Sequence, residues 1–163
     1  MKTIWFCGED EEELTTIAEV VGEELINREQ NVELIVYSEV KEILGRGLKD
    51  TDDDRTTFTD RLGFLGNLLH RNNIFALIVT TQSNLTDRKK VKEEYKNYIQ
   101  INLNEKDFLT DLELKDLASP KDNAKKIIDY LVKEKLISEQ CQNIYSKDEE
   151  EEIRRRLEEL GYV

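Results

Sequence analysis

The sequence predicts an α/β protein: a parallel sheet with helices on both faces, followed by a C-terminal helical extension. Three observations predict it. Short apolar runs alternate with helix-period segments, as in successive βαβ units. One run, residues 74–80, is apolar at nearly every position, as a central parallel strand covered on both faces must be. The 163 residues suit one domain. A chain of that length can bury roughly 70% of its unfolded surface, so it needs no metal or disulfide staple.

Each element follows from its local pattern. Residues 4–7 are an apolar run ended by Gly8, a buried first strand. Leu14, Ile17, Ala18, Val21 and Leu25 then recur at helical spacing, and acids crowd the first turn, where the helix dipole favours them. Residues 32–37 form a second strand. Val40, Ile43 and Leu44 mark a short helix ending near Gly45 and Gly47. Residues 49–57 are a charged connection, with Asp52, Asp53 and Asp54 solvated in it. Residues 58–71 are a helix with Leu62, Leu65, Leu68 and Leu69 inward. After the strand at 74–80, Asn84 or Thr86 caps a helix to about residue 96. Residues 97–103 alternate as a strand, and 112–117 are a weaker strand candidate. Ser119 and Pro120 open a last helix through Leu131, with Pro at the favoured first turn. In the tail, Ser146 to Glu149 fits a capping box. Ile153, Leu157 and Leu160 share one stripe of an amphipathic helix at about 147–160. That helix packs on its own domain or docks on another subunit.

Charge and composition restrict function. With 24 Lys+Arg against 36 Asp+Glu the net charge is −12, which disfavours nucleic acid and anionic membrane as partners. No run of roughly 18 apolar residues predicts a membrane span, and the N-terminal apolar stretch is too short for a signal peptide. A cytoplasmic protein is expected. Two cysteines make no disulfide framework. Cys7, at a strand end, reads as buried and inert, or as a redox-sensing thiol; Cys141 lies in an exposed segment open to a regulatory disulfide. His70 has no second metal ligand nearby and reads as a helix-end residue. Arg88, Lys89, Lys90 and Lys92 form a basic helix face that is either ordinary solvated surface or a contact for an acidic partner.

The order of these segments resembles the adenylylsulfate (APS) kinase family of P-loop kinases. The likeness is carried by Ile4 and Trp5 through Gly8 to Thr15, Thr16, Ile17 and Ala18; by Val32 to Leu34 with Glu39, Val40, Gly47 and Leu48; and by Arg55, Arg61 to Gly63 and Arg71-Asn72. The strand at 74–80 with Ser83, and Ser119-Pro120 to Leu131, complete it. The resemblance covers residues 1–136. It implies a three-layer P-loop-kinase-like α/β domain there, with 137–163 as the extension.

Set against the family's chemistry, the pattern breaks. A phosphate loop, G-x-x-x-x-G-K-[ST], closes backbone N–H groups around phosphates; its Lys neutralises the β/γ oxygens and its Ser/Thr holds Mg2+. Here Gly8, Thr15 and the following Thr16 remain, but Glu13 stands for the second glycine and Leu14 for the lysine. Residues 9–13 are all carboxylates, and each like charge near a phosphate costs about 1–4 kcal/mol at close range. The acids read as the negative charge a helix start otherwise takes from phosphate. The alternative, a Ca2+ or Mg2+ cluster, lacks the ligand spacing of a known loop. The family's base position is Ser38, and its substrate-binding arginine is Lys41. Its stacking aromatic falls at Lys49-Asp50, and its Asn-x-x-Arg pair falls at Phe58 and Asp60. Arg55 and Ser83 match substrate-contacting positions, and the long basic lid after the fourth strand is missing. No catalytic residue, no metal site and no cofactor is therefore expected, although ATP and Mg2+ belong to the family. The resemblance implies a non-catalytic APS-kinase-like protein with a protein partner or a second copy of itself. The alternative is a nucleotide-binding protein that keeps weak APS or adenosine-nucleotide affinity, or residual phosphotransferase activity, through Lys41, Arg55 and Ser83.

Overall fold

The computed structural model describes residues 2–49, 51–81, 83–104, 107–115, 118–139 and 155–156. Five parallel strands form one sheet: β1 (Thr3–Cys7), β2 (Val32–Val36), β3 (Phe75–Thr80), β4 (Tyr98–Leu103) and β5 (Leu112–Leu114). Their order is β2-β3-β1-β4-β5. Every residue of β1, β3 and β4 is buried, because these three strands occupy the middle of the sheet and are covered on both sides. The α/β architecture with helices on both faces, expected from the sequence, is the one the chain adopts.

Among the described residues five helices do the covering: α1 (Glu11–Asn27), α2 (Tyr37–Leu44), α3 (Asp52–Arg71), α4 (Leu85–Glu94) and α5 (Pro120–Lys133). Alternate residues of each strand face opposite layers. Ile4 and Phe6 of β1 join Leu77, Val79 and Ile101 under α1 and α5, where Leu14, Ile17, Leu25, Ile127 and Leu131 are buried. Trp5, Ile35 and Ile78 face the other way, against Phe58 and Leu62 of α3 and Val91 of α4. The α3 helix lies close because of Gly63 and Gly66. A Cβ at Gly63 would stand 2.7 Å from Val91 Cγ1, and one at Gly66 2.7 Å from Thr3 Cγ2.

Several expectations are corrected. Asp52, Asp53 and Asp54 are not a solvated connection but the first turn of α3, which starts six residues earlier than its apolar pattern suggests. Thr51 caps it: the Thr51 hydroxyl accepts from Asp54 N–H at 3.2 Å and the Asp54 carboxylate answers at the cap. The aspartates add charge that the helix start favours. The second strand ends at Val36, so Tyr37 and Ser38 lie in the first turn of α2. Asn84, not Thr86, caps α4, accepting from Asp87 N–H at 2.9 Å. Ile137 is buried in the same core cluster as Ile127 and Leu131. The tail helix at 147–160 and Cys141 lie outside the described residues, apart from Arg155 and Arg156, which are helical and exposed. Among the described residues no helix is long and apolar enough to cross a membrane.

Candidate functional site

Parallel strands place all their carboxyl ends on one edge of the sheet, the edge where open α/β sheets bind ligands. Two structures stand there: the turn from β1 into α1, and a cavity between α2, α3 and the end of β3.

The turn begins at Gly8, where a Cβ would sit 3.3 Å from Leu103 Cβ and 3.5 Å from Leu14 Cδ1. The chain is helical from Glu11 onward, so residues 11–13 form a helical turn rather than an open loop. Asp10 caps this helix. Its carboxylate accepts from Glu13 N–H at 3.0 Å, and its carbonyl accepts from Leu14 N–H at 3.2 Å. Leu14 has no exposed surface and packs among Phe6, Ile17 and Leu103. The hydroxyls of Thr15 and Thr16 donate to the carbonyls of Glu11 and Glu12, at 2.7 and 2.9 Å. Among the described residues no three His, Cys, Asp or Glu side chains are grouped to hold a metal ion.

The cavity has a volume of about 230 Å³. Lys41, Arg55 and Ser83, read from sequence as a set, all line it. Ser38 does not; it is exposed on α2. The sequence reading missed the apolar wall, made by Tyr37, Phe58 and Leu48. The Tyr37 and Phe58 rings meet edge to face with centroids 5.1 Å apart. Nothing local in the sequence marks them; they meet because α2 and α3 pack together. Asp54 also lines the cavity, but its carboxylate accepts from Lys49 N–H at 2.9 Å and Thr51 hydroxyl at 2.6 Å. The Thr51 hydroxyl first, then the Lys49 N–H, hold that carboxyl below its ordinary range.

Behind the turn lies a buried polar cluster that also escaped the sequence reading. Arg88 is not on an exposed basic face. Its residue is 9% exposed, and Nη1 donates to Asp107 Oδ2 at 3.2 Å and to Cys7 Sγ at 3.3 Å. Lys89 and Lys90 remain exposed, and Lys92 pairs with Asp111. Cys7 is buried as expected, but it touches a guanidinium rather than apolar groups alone. Asp107 also accepts from Gln100 Nε2, Asn102 Nδ2, Thr110 hydroxyl and Leu109 N–H. Burial pushes the Asp107 carboxyl up. The Leu109 N–H, the Gln100 amide and Arg88 more than offset that, and the group stays below its ordinary value. Tyr98 lies alongside, its hydroxyl pushed well above its usual range chiefly by burial. His70 sits near the end of α3, as expected, with Nδ1 buried and without a hydrogen-bond partner among the described residues.

Strand order, the turn after β1 and the cavity at the carboxyl ends define the class: an α/β protein of the P-loop-kinase type. The family model for adenylylsulphate kinase matches residues 1–113, and the chain belongs to that family. The adenylyl-sulfate kinase of Deinococcus deserti is 30% identical over 100 residues, covering 61% of this chain and 55% of that protein. The probable adenylyl-sulfate kinase of Synechocystis is 28% identical over 102 residues, covering 63% and 58%. The chain thus spans little more than half the length of these relatives. Among solved structures, Mycobacterium tuberculosis APS kinase in complex with AMPPNP and APS superposes with a TM-score of 0.71 at 17% identity. It covers 80% of this chain and 96% of that one. The hexameric APS kinase from Thiobacillus denitrificans superposes with a TM-score of 0.71 at 18% identity, covering 81% of this chain and 29% of the other.

Proposed function

We propose that this chain is a non-catalytic member of the APS kinase family, with a regulatory or protein-interaction role connected with sulfate activation. One observation carries the reading. The N–H of Glu13, which an open phosphate loop would turn toward an anion, is taken by the chain's own Asp10 carboxylate, while the lysine position is a fully buried leucine. These residues do not fit a magnesium–triphosphate group. Acids replace the phosphate charge at the helix start, and the buried Leu14 at the lysine position carries no charge to offset that of a transferred phosphoryl. Ser38, at the position of the family's base, has a hydroxyl that is no useful base near neutral pH. The test is incubation with APS and MgATP. No 3′-phosphorylated product above a blank without protein is expected; product formation refutes the reading.

A second reading is favoured by Lys41, Arg55 and Ser83 sharing one cavity: the chain keeps weak affinity for APS or an adenosine nucleotide. Thermal shift with ATP, ADP, APS and the 3′-phosphorylated nucleotide separates the two, and a shift with APS but not ATP supports the second. In either case we place the protein in the cytoplasm, with a protein partner or a second copy of itself, and not on nucleic acid, given its charge of −12. The hexameric relative makes self-association the first arrangement to examine, by light scattering.

A further inference from the structure

We infer that a cavity at the amino ends of the strands binds a small tetrahedral oxyanion, of the sulfate or phosphate class, through Lys2, Asn67, His70 and Lys96. The cavity lies on the sheet edge opposite the turn after β1. It is independent of whether that turn holds a nucleotide.

Strand direction builds the site. Lys2 immediately precedes β1, Lys96 lies between α4 and β4, and Asn67 and His70 stand near the end of α3, which leads into β3. All four line one cavity of about 480 Å³. The Lys2 and Lys96 ammoniums and the Asn67 amide have no ion-pair or hydrogen-bond partner among the described residues. Glu94 also lines the cavity, but its carboxylate accepts from the Tyr95 hydroxyl, and the two ammoniums outnumber it. On a chain with 36 acids against 24 bases, that is a local excess of positive charge. The carbonyl end of α3 points at this edge and would repel an anion. Its carbonyls are already taken: Leu69 O accepts from Asn72 and Ile74 N–H at 2.9 and 3.1 Å, and His70 O from Asn73 N–H at 3.0 Å.

His70 decides between an anion and a metal ion. Its Nδ1 is buried and has no hydrogen-bond partner among the described residues. A proton there would be a buried N–H with nothing to accept it, an arrangement folded proteins avoid. In the neutral ring the proton therefore sits on Nε2, the nitrogen left to the cavity, and His70 acts there as a donor. A metal on Nε2 would force the proton onto Nδ1, and metal-binding histidines hand that proton to an acceptor, which is missing among the described residues. Two ammoniums, an imidazole N–H and an amide NH2 suit a ligand that only accepts. These donors come from the start of β1, from α3 and from the α4–β4 connection, so they surround a ligand rather than meet it in one plane. Sulfate and phosphate, with four oxygens, fit that better than a planar carboxylate, which pairs best with the flat fork of an arginine.

Titration calorimetry of the full chain tests this with sodium sulfate and sodium phosphate, against sodium acetate and zinc chloride. Sulfate and phosphate should each bind at least tenfold tighter than acetate, and the tighter of the two names the ligand. Lys2→Gln and Lys96→Gln should each weaken oxyanion binding several-fold with unchanged circular dichroism. His70→Gln, which keeps an N–H donor, should retain more affinity than His70→Leu. Lys126→Gln removes an exposed charge on α5 and should leave the affinity unchanged. Absence of oxyanion binding at millimolar concentration overturns the inference. So does equal affinity for acetate, an equal loss in Lys126→Gln, or a zinc affinity that His70→Leu abolishes.

Discussion

Replacing Asp107 by Asn removes the charge facing Arg88 while keeping the shape of the side chain. Arg88 and Asp107 side chains are 11% and 18% exposed, so water cannot readily take over the lost contact. The Asp107 carboxylate accepts from Arg88, Gln100, Asn102, Leu109 and Thr110. An Asn offers one carbonyl oxygen and one NH2 group, so at least one of these donors would face another donor. Breaking a buried pair by removing one partner costs about 3–5 kcal/mol, because the surviving charge stays buried. The acceptor retained by Asn sets the expectation near about 3 kcal/mol. For a chain of this size that is a drop of roughly 6–12 °C in Tm. Urea unfolding followed by the emission of Trp5, the single and fully buried tryptophan, reads it directly. The m-value should not change. Arg88→Met, which leaves Asp107 with its other donors, should cost less, about 1–3 kcal/mol. The double variant should cost less than the sum of the singles by about 0.5–3 kcal/mol. A loss below about 1 kcal/mol for Asp107→Asn, or strict additivity, would refute the assignment of this pair as the element that ties α4 to the end of the sheet.

The same group sets a pH dependence. Its folded pKa is depressed below the ordinary 3.8, so its stabilisation is complete above pH 3.8 and is lost as pH falls through the lower folded value. Urea melts of the parent chain and Asp107→Asn should therefore differ fully at neutral pH and converge only below that point. Leu14→Lys, which restores the residue type of a phosphate loop, should lower stability by about 3 kcal/mol or more, since it places a charge in a site with no exposed surface. It should confer no thermal stabilisation by ATP; an ATP-dependent rise in Tm would contradict the reading of the turn. Gly63→Ala should destabilise by about 1–2 kcal/mol through the 2.7 Å approach to Val91, despite the helix propensity of Ala. Val91→Ala in the same chain should recover part of that loss in a denaturant melt.

By itself the sequence determined what local chemistry can determine. Apolar runs at 4–7 and 74–80 specify buried strands, because a parallel strand covered on both faces needs apolar residues at successive positions, and the alternation at 97–103 specifies another strand. Ser119 and Pro120 specify a helix start, since a cap and a fixed φ act within one turn. The residue types at 13 and 14 were equally plain. The α3 start was legible too, in Thr51 with Asp54, but apolar periodicity pointed to Phe58 and the cap was overlooked. What only the tertiary structure decided are meetings between residues far apart in the chain. Arg88 reads as one cation in a basic run, yet it is buried because α4 packs across the ends of β1 and β4. That packing brings it against Cys7, 81 positions away, and Asp107. Tyr37 and Phe58 become one wall only when α2 and α3 fold against each other. Periodicity encodes which face of an element is buried. Which polar group meets a buried charge depends on strand register and helix placement, and those are set by the packing of the whole core.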